Sequence, residues 1–280
     1  MEDFRTKINK RGDQMIKLGV NSVLFGGYDF DTAAKYIALS GYDGLEISAI
    51  KGMCEHLVPD DWRSQEKQLK ETMEKYNLEF LATEVASLDE ERLLKAFEAA
   101  QALGIPVVNV GPSGKSNNEE DMKQLVERLN RLAEKAEPYN ISLCIKAHVG
   151  AVMFNTPSTT HIMDSVNSKA FGIDMDPSHI YRSGEQPEDA LPKVINKVKH
   201  IHIRDCLGRQ HGPGAPANQA CGRGDIDLYS YLAVLTEHNY DGPVNLEVIG
   251  ALNLSLAEVA IIAAESYGYL NACLKKLGAR

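Results

Sequence analysis

The sequence predicts an α/β chain folded as a (β/α)₈ barrel of the TIM type, a single domain over residues 1–280, and three observations carry that prediction. Eight short apolar runs alternate with about eight segments of helical period. Val107-Val-Asn-Val110, Ile141-Ser-Leu-Cys-Ile145 and Val198-Lys-His-Ile-His-Ile203 are apolar on both faces or nearly so, as strands of a buried parallel sheet are. Finally, 280 residues is close to the ~250 that such a barrel commonly uses as one domain. A prior of roughly 150 residues per domain would divide the chain in two, but no linker or low-complexity stretch marks a boundary. No G-x-G-x-x-G or phosphate-binding loop follows a strand, so a doubly wound nucleotide fold loses its main signal.

Taken in order, a polar lead-in covers residues 1–17. Strands are predicted over 19–25, 44–48, 79–83, 107–110, 141–145, 171–175, 198–203 and 244–248. Helices are predicted over 31–40, 60–75, 88–103, 119–137, 159–167, 187–196, 227–237 and 255–275, long enough to serve as crossovers between parallel strands. The longest irregular segment, 206–224, is rich in glycine and proline. It follows the seventh strand and is expected to be an active-site loop, since a loop of that length inside a compact domain is usually functional or disordered.

Composition narrows the function. Hydrophobic residues at 44% and charged residues at 25% exclude a disordered or collagen-like chain. Thirty basic against 39 acidic residues, a formal charge of −9 with no basic stripe, argues against a nucleic-acid partner. Five scattered cysteines without a C-x-x-C pattern (Cys54, Cys144, Cys206, Cys221, Cys273) read as reduced thiols rather than disulfides or a cysteine zinc site. No apolar run approaches the ~18–20 residues of a membrane span. Met1 is followed by Glu-Asp-Phe-Arg-Thr-Lys rather than a secretory signal, so a cytoplasmic location is expected. A homo-oligomer and a hetero-oligomer both remain open.

In a barrel of this kind, chemistry sits at the C-terminal ends of the strands. Those ends carry Glu46, Glu84, Asn109, Lys146 with His148, Asp174 with Asp176 and His179, His200 with His202, Arg204 and Asp205, and Asn245 with Glu247. Alternate residues share a face, so Lys146 and His148 are expected to point together into the mouth, as are Asp174 with Asp176 and His200 with His202 and Arg204. Each has a plainer role available: Asp176-Pro-Ser-His179 can be a capped turn, Asp205 can cap a loop, and Glu46 and Glu84 can form rim ion pairs. Carboxylates and imidazoles converging from four consecutive strands need a cation between them, and by ligand type one divalent Mn²⁺, Mg²⁺ or Zn²⁺ ion suits them.

Gly44-Leu-Glu46, Asp176-Pro-Ser-His179, His200-Ile-His-Ile-Arg-Asp205, Gly222-Arg-Gly-Asp-Ile-Asp227 and Asn245-Leu-Glu247 resemble the xylose-isomerase-like TIM barrels, which include sugar-phosphate isomerases, ketose 3-epimerases, inosose dehydratases and an apurinic-site endonuclease. The resemblance runs from about Gly19 to Glu247 and does not name a substrate. It implies a small carbohydrate substrate and a divalent ion held at the ends of strands five to eight, with Asp176, His202 and Glu247 matching three of the four ligands. The fourth departs: where the family has a glutamate, this chain has Lys146, followed by Ala147 and His148. Either His148 replaces the missing ligand, or waters complete a three-residue shell, or the Lys146 ammonium neutralises the carboxylates without an ion.

The departure removes one of the two bases that the family's epimerases use, leaving the Glu247 side. The expected enzyme is an isomerase or epimerase that abstracts a proton next to the carbonyl of a sugar, keto sugar or sugar phosphate. A lyase performing elimination on a keto sugar or inosose is the alternative, and a non-catalytic sugar-binding or partner subunit is a third. His148, ahead of Lys146, is the expected base, because neighbouring carboxylates raise a lysine pKa; His179 or Glu247 is the expected acid. Glu46, Glu84, Asn109 and Asp205 are expected to bind substrate hydroxyls, and Arg204 and Arg223 an anionic group. Trp62 is expected to pack in the core.

Overall fold

The computed structural model describes residues 15–209 and 212–280; most of the lead-in, residues 1–14, lies outside the described residues, as do two positions of the long loop. Eight parallel strands, β1 (Leu18–Asn21), β2 (Gly44–Ile50), β3 (Glu79–Glu84), β4 (Val107–Val110), β5 (Ser142–Lys146), β6 (Phe171–Met175), β7 (Val198–Ile203) and β8 (Val244–Leu246), pair in sequence order. β1 pairs with both β2 and β8, which closes the barrel. A two-residue strand, Cys54–Glu55, folds back antiparallel on the end of β2.

The outer ring comprises α1 (Phe30–Ser40), α2 (Trp62–Tyr76), α3 (Glu90–Leu103), α4 (Glu119–Ala136), α5 (Thr156–Ser165), α6 (Pro177–Arg182), α7 (Pro187–Ala190), α8 (Leu228–Glu237) and α9 (Leu256–Leu277). The sequence dictates many of the starts through side chains that accept from otherwise unpaired amides: Asp29, Asp89, Asn118, Asn155, Asp227 and Ser255. Asn155 and Ser255 do so within reciprocal capping boxes. The apolar faces of these helices and the strands form one extended core, in which Trp62 is buried as expected. All five cysteines are free. Among the described residues, no helix is long and apolar enough to cross a membrane.

Three elements differ from the sequence expectation. The first strand stops at Asn21, whose side-chain oxygen accepts from Val23 N and turns Ser22–Phe25 into a 3₁₀ turn. The helix expected over 187–196 breaks after Ala190 into two 3₁₀ turns, because Pro192 lacks the N–H that would continue it. The Asp-Pro-Ser-His segment is a helix start rather than a bare turn: Asp176 caps α6, with Pro177 in its first turn. Backbone proximity also shapes the barrel at β1, where a Cβ on Gly19 would lie 2.0 Å from Asn245 Oδ1.

Candidate active site

Polar side chains from every barrel strand meet at the C-terminal end of the sheet, in two tiers. The lower tier is sealed. Asn21, Glu46, Asp174, His200, His202 and Asn245 are all fully buried. Asp174 Oδ1 lies 2.9 Å from His200 Nδ1 and accepts from the His202 backbone N–H at 3.0 Å, while Asp174 Oδ2 stands 2.6 Å from His202 Nδ1. On its other side His202 presents Nε2 to Glu46 Oε2. Glu46 accepts further from Asn109 Nδ2 at 2.7 Å and Asn21 Nδ2 at 3.0 Å, and His200 Nε2 meets Asn245 Nδ2 at 2.7 Å. Burial disfavours an imidazolium at His202, but Asp174 and Glu46 outweigh it and hold the ring well above the usual histidine range. Burial likewise opposes the charge on Asp174, yet His202 and His200 hold its carboxyl well below the usual range.

The upper tier touches solvent. Glu84, Lys146 and Glu247 retain 3–4% exposure. Lys146 reaches into the middle of this tier: Nζ donates to Glu247 Oε1 at 2.8 Å and Glu84 Oε1 at 3.2 Å, and stands 3.2 Å from His202 Nδ1. Burial opposes its charge, but Glu247 and Glu84 hold the ammonium above the ordinary lysine range. Arg204 bridges the neighbouring carboxylates, with Nη2 2.8 Å from Asp176 Oδ2 and Nη1 3.0 Å from Glu247 Oε2. Neither Arg204 Nη1 nor Glu247 Oε2 completes a hydrogen bond, so two buried polar atoms keep unused capacity at the mouth. For Glu247, Lys146 and Arg204 overcome burial and hold the carboxyl well below the usual range. Burial drives Glu84 up to about 8, more than the Lys146 ammonium draws it down. At neutral pH Glu84 is therefore largely a neutral acid beside an ionised Glu247.

Several expectations are corrected by these positions. His148 does not point into the mouth: it is exposed, its Nδ1 lies 3.0 Å from Val149 O, and its ring packs tilted against that of His179, centroids 4.1 Å apart. Asp176 does not stand free for a ligand, because it caps α6 through Ser178 and pairs with Arg204. His179 is held between Arg204 Nη2 at 3.0 Å and Arg182 Nη2 at 2.9 Å; burial and Arg204 keep it well below the usual imidazole range, hence uncharged. Glu46 lies in the sealed tier, where it orients His202 rather than facing the mouth. Asp205 organises the long loop, accepting from the amides of Cys206, Gly222 and Ile226, and a Cβ on Gly224 would lie 2.2 Å from its Oδ1. Arg223 lies at the surface, paired with Glu265. Asn109 and Arg204 are within the cluster, as expected.

Sequence reasoning missed Asn21 and Gln219. Asn21 Nδ2 bridges Glu46 at 3.0 Å and Glu84 at 2.7 Å, and an inward polar residue at the end of β1 was the available signal. Gln219 ties the loop to the end of β8, donating to Gly214 O and Ile249 O and accepting from Ile249 N. Apart from its position in the glycine-rich segment, nothing in the sequence marks it.

Among the described residues, two groups of three side chains have the chemistry and closeness to hold a divalent cation, Glu46–His200–His202 and Glu84–His202–Glu247. The set implied by resemblance is neither of these. It lacks its strand-five carboxylate, His148 does not replace it, and Asp176 is bound to Arg204, so that four-ligand set does not fit a metal here.

Comparison with known proteins agrees with the architecture. The family model described as xylose isomerase-like TIM barrel matches residues 34–268. An inosose dehydratase of Clostridium perfringens is 25% identical over 276 residues, covering 83% of this chain and 89% of that one. The structure of a D-allulose 3-epimerase from Methylomonas sp. superposes with a TM-score of 0.73 at 18% identity, over 93% of this chain and 99% of the other. A structure of IOLI protein with a bound zinc atom gives 0.75 at 20% identity, again over 93% and 99%. At those identities the structural matches establish the shared fold.

Proposed function

This chain belongs to the xylose isomerase-like TIM-barrel family, and from that premise we propose that it is a carbon–oxygen lyase that dehydrates a cyclic or open-chain polyhydroxylated ketone such as an inosose. The observation that carries this reading is the Lys146 ammonium set between Glu84 and Glu247. A two-base epimerisation needs a proton acceptor on each face of the substrate, and here strand five supplies a cation instead. One base and two proton donors suit elimination. Inosose dehydratases among the sequence relatives support the same choice.

In this scheme Glu247, whose Oε2 stands 3.0 Å from Arg204 Nη1 without completing a hydrogen bond, takes the proton from the carbon next to the carbonyl. Charge develops on the carbonyl oxygen, where Lys146 and Arg204 donate to it. The hydroxyl on the next carbon leaves with the Glu84 proton as water, and an α,β-unsaturated ketone remains. Glu247 ends protonated and Glu84 ionised; proton return between them resets the site. Asn109 and Asn21 orient the carboxylates, and the arginine side of the pocket favours substrates with an electron-rich or anionic substituent.

Isomerisation shares the first step and is the second reading, since one base suffices to shuttle a proton between adjacent carbons. Incubation with inososes, ketohexoses and their phosphates in heavy water separates the two. Elimination yields a new enone absorbance and loss of water, and Glu247→Gln lowers the rate by about 10²–10⁴-fold. An isomer that has taken up deuterium but lost no water, with no enone, would replace the lyase reading with the isomerase one.

A further inference from the structure

We infer that the Lys146 ammonium, backed by the Arg204 guanidinium, takes the place of a divalent cation in this barrel, so that the substrate-facing carboxylates work as an organic-cation site. This rests on the same pocket as the proposed function but not on the reaction chosen for it. The trio Glu84–His202–Glu247, whose two carboxylates touch solvent, has the donors for a metal, yet Lys146 Nζ lies within 3.2 Å of all three residues, bonded to both carboxylates. A divalent ion entering between those donors would meet the ammonium at contact distance, a like-charge clash in a poorly solvated place. On the other side of Glu247, Arg204 connects it to Asp176 and so occupies the second direction from which a cation would be held.

The other trio offers no substrate-facing alternative. Glu46, His200 and His202 are fully buried, with His202 Nε2 directed at Glu46 and His200 Nε2 at Asn245. An ion there would have no open position for a substrate oxygen, which a catalytic metal site keeps. Chemically, the lysine and arginine retain what elimination requires, donors aimed at a developing oxyanion, and Lys146 can also supply a proton.

The test reads metal binding directly, so it stands or falls independently of which substrate is turned over. Wild-type protein purified without chelator is dialysed and its Mn, Zn, Co and Mg content measured; calorimetric titration with Mn²⁺ and thermal unfolding with and without Mn²⁺ follow. The expected wild type retains well below one equivalent and shows no Mn²⁺-dependent rise in Tm. Lys146→Glu, which places a carboxylate where the ammonium was, is expected to bind Mn²⁺ at least tenfold more tightly than wild type and to gain Tm with it. Lys146→Gln, which removes the charge without adding a ligand, provides a second reading if the glutamate variant does not fold: its Mn²⁺ affinity should also exceed that of wild type. One equivalent of a dialysis-resistant divalent ion in the wild type, or equal Mn²⁺ affinity in wild type and whichever variant folds, overturns the inference.

Discussion

The lower and upper tiers of the site both set carboxylates against cationic side chains, imidazoles below and an ammonium and a guanidinium above, and differ in access to solvent. Below, Asp174, His202 and Glu46 alternate acid, base, acid with no solvent contact, and each charge is answered by a neighbour of opposite sign. Above, Glu84, Glu247 and Asp176 share Lys146 and Arg204, and hydrogen-bonding capacity is left over at the mouth. Unpartnered polar atoms occur in both tiers, Asp174 Oδ2 and Asn245 Oδ1 below and Arg204 Nη1 and Glu247 Oε2 above, so what separates the tiers is access: a sealed charge chain fixes geometry, and one that touches solvent can meet a ligand. The difference teaches that carboxylates at strand ends divide into positioning and reacting groups according to depth and to the cations that share them.

The same change from carboxyl to amide should therefore have unlike outcomes in the two tiers. Asp174→Asn removes one flank of His202 and leaves a buried cation underpaired, a loss of about 3–5 kcal/mol. The sign follows from both partners. The stability contributed by His202, raised in the fold, is complete below its unfolded pKa and disappears as pH climbs through the folded value. That of Asp174, lowered in the fold, is present above its unfolded pKa and disappears as pH falls through the folded value. Around neutral pH both contribute, so urea midpoints there show the largest deficit. A midpoint unchanged from wild type would mean that the lower tier does not act as a linked charge chain.

Glu84→Gln tests the upper tier. Its carboxyl is pushed up to about 8 in the fold from the 4.5 of an ordinary glutamate, so the folded protein holds a proton that the unfolded chain releases between those values. Stability contributed by this protonated acid declines as pH rises across that window, by at most ~1.4 kcal/mol per pH unit. The amide, which cannot ionise, should match wild type within about 1 kcal/mol near pH 5 and exceed it near pH 8. Denaturant midpoints measured across the window check this, and parallel curves for the two proteins would refute a neutral Glu84.

Which residues reach the two tiers was legible wherever the strand itself continued. Period-two alternation put Asp174, His200 and His202 on the inward face, where the structure has them, because each lies within a strand; that they sit in the sealed tier below the mouth was not readable from it. Alternation ceases to apply where the strand ends. β5 stops at Lys146, and the chain turns through His148 to Gly150, whose φ is +90°, so His148 faces outward. Asp176 follows the last residue of β6 and becomes a helix cap. Asn21 escaped notice because the first strand was expected to run on to Phe25, which hid its real end. The barrel was readable because burial on both strand faces leaves a signal in composition; the Lys146 contacts were not, since they depend on the ends of four strands brought together only by closure.

Arg223 supplies the smallest and most diagnostic contrast with Arg204. Both arginines follow the seventh strand, and both have the guanidinium geometry suited to an anionic substituent. Arg204 is 1% exposed and connects Asp176 to Glu247 within the upper tier. Arg223 is exposed, with Nε 2.7 Å from Glu265 Oε1 on α9. Solvent competes for both members of that surface pair, so Arg223→Ala should shift the denaturation midpoint little, and less as salt is added. Turnover of any substrate the barrel accepts should be unchanged within twofold, whether or not that substrate is phosphorylated. If instead KM rises selectively for phosphorylated substrates, the long loop brings Arg223 over the mouth during binding, and the boundary of the site must be extended from the strand ends to the loop.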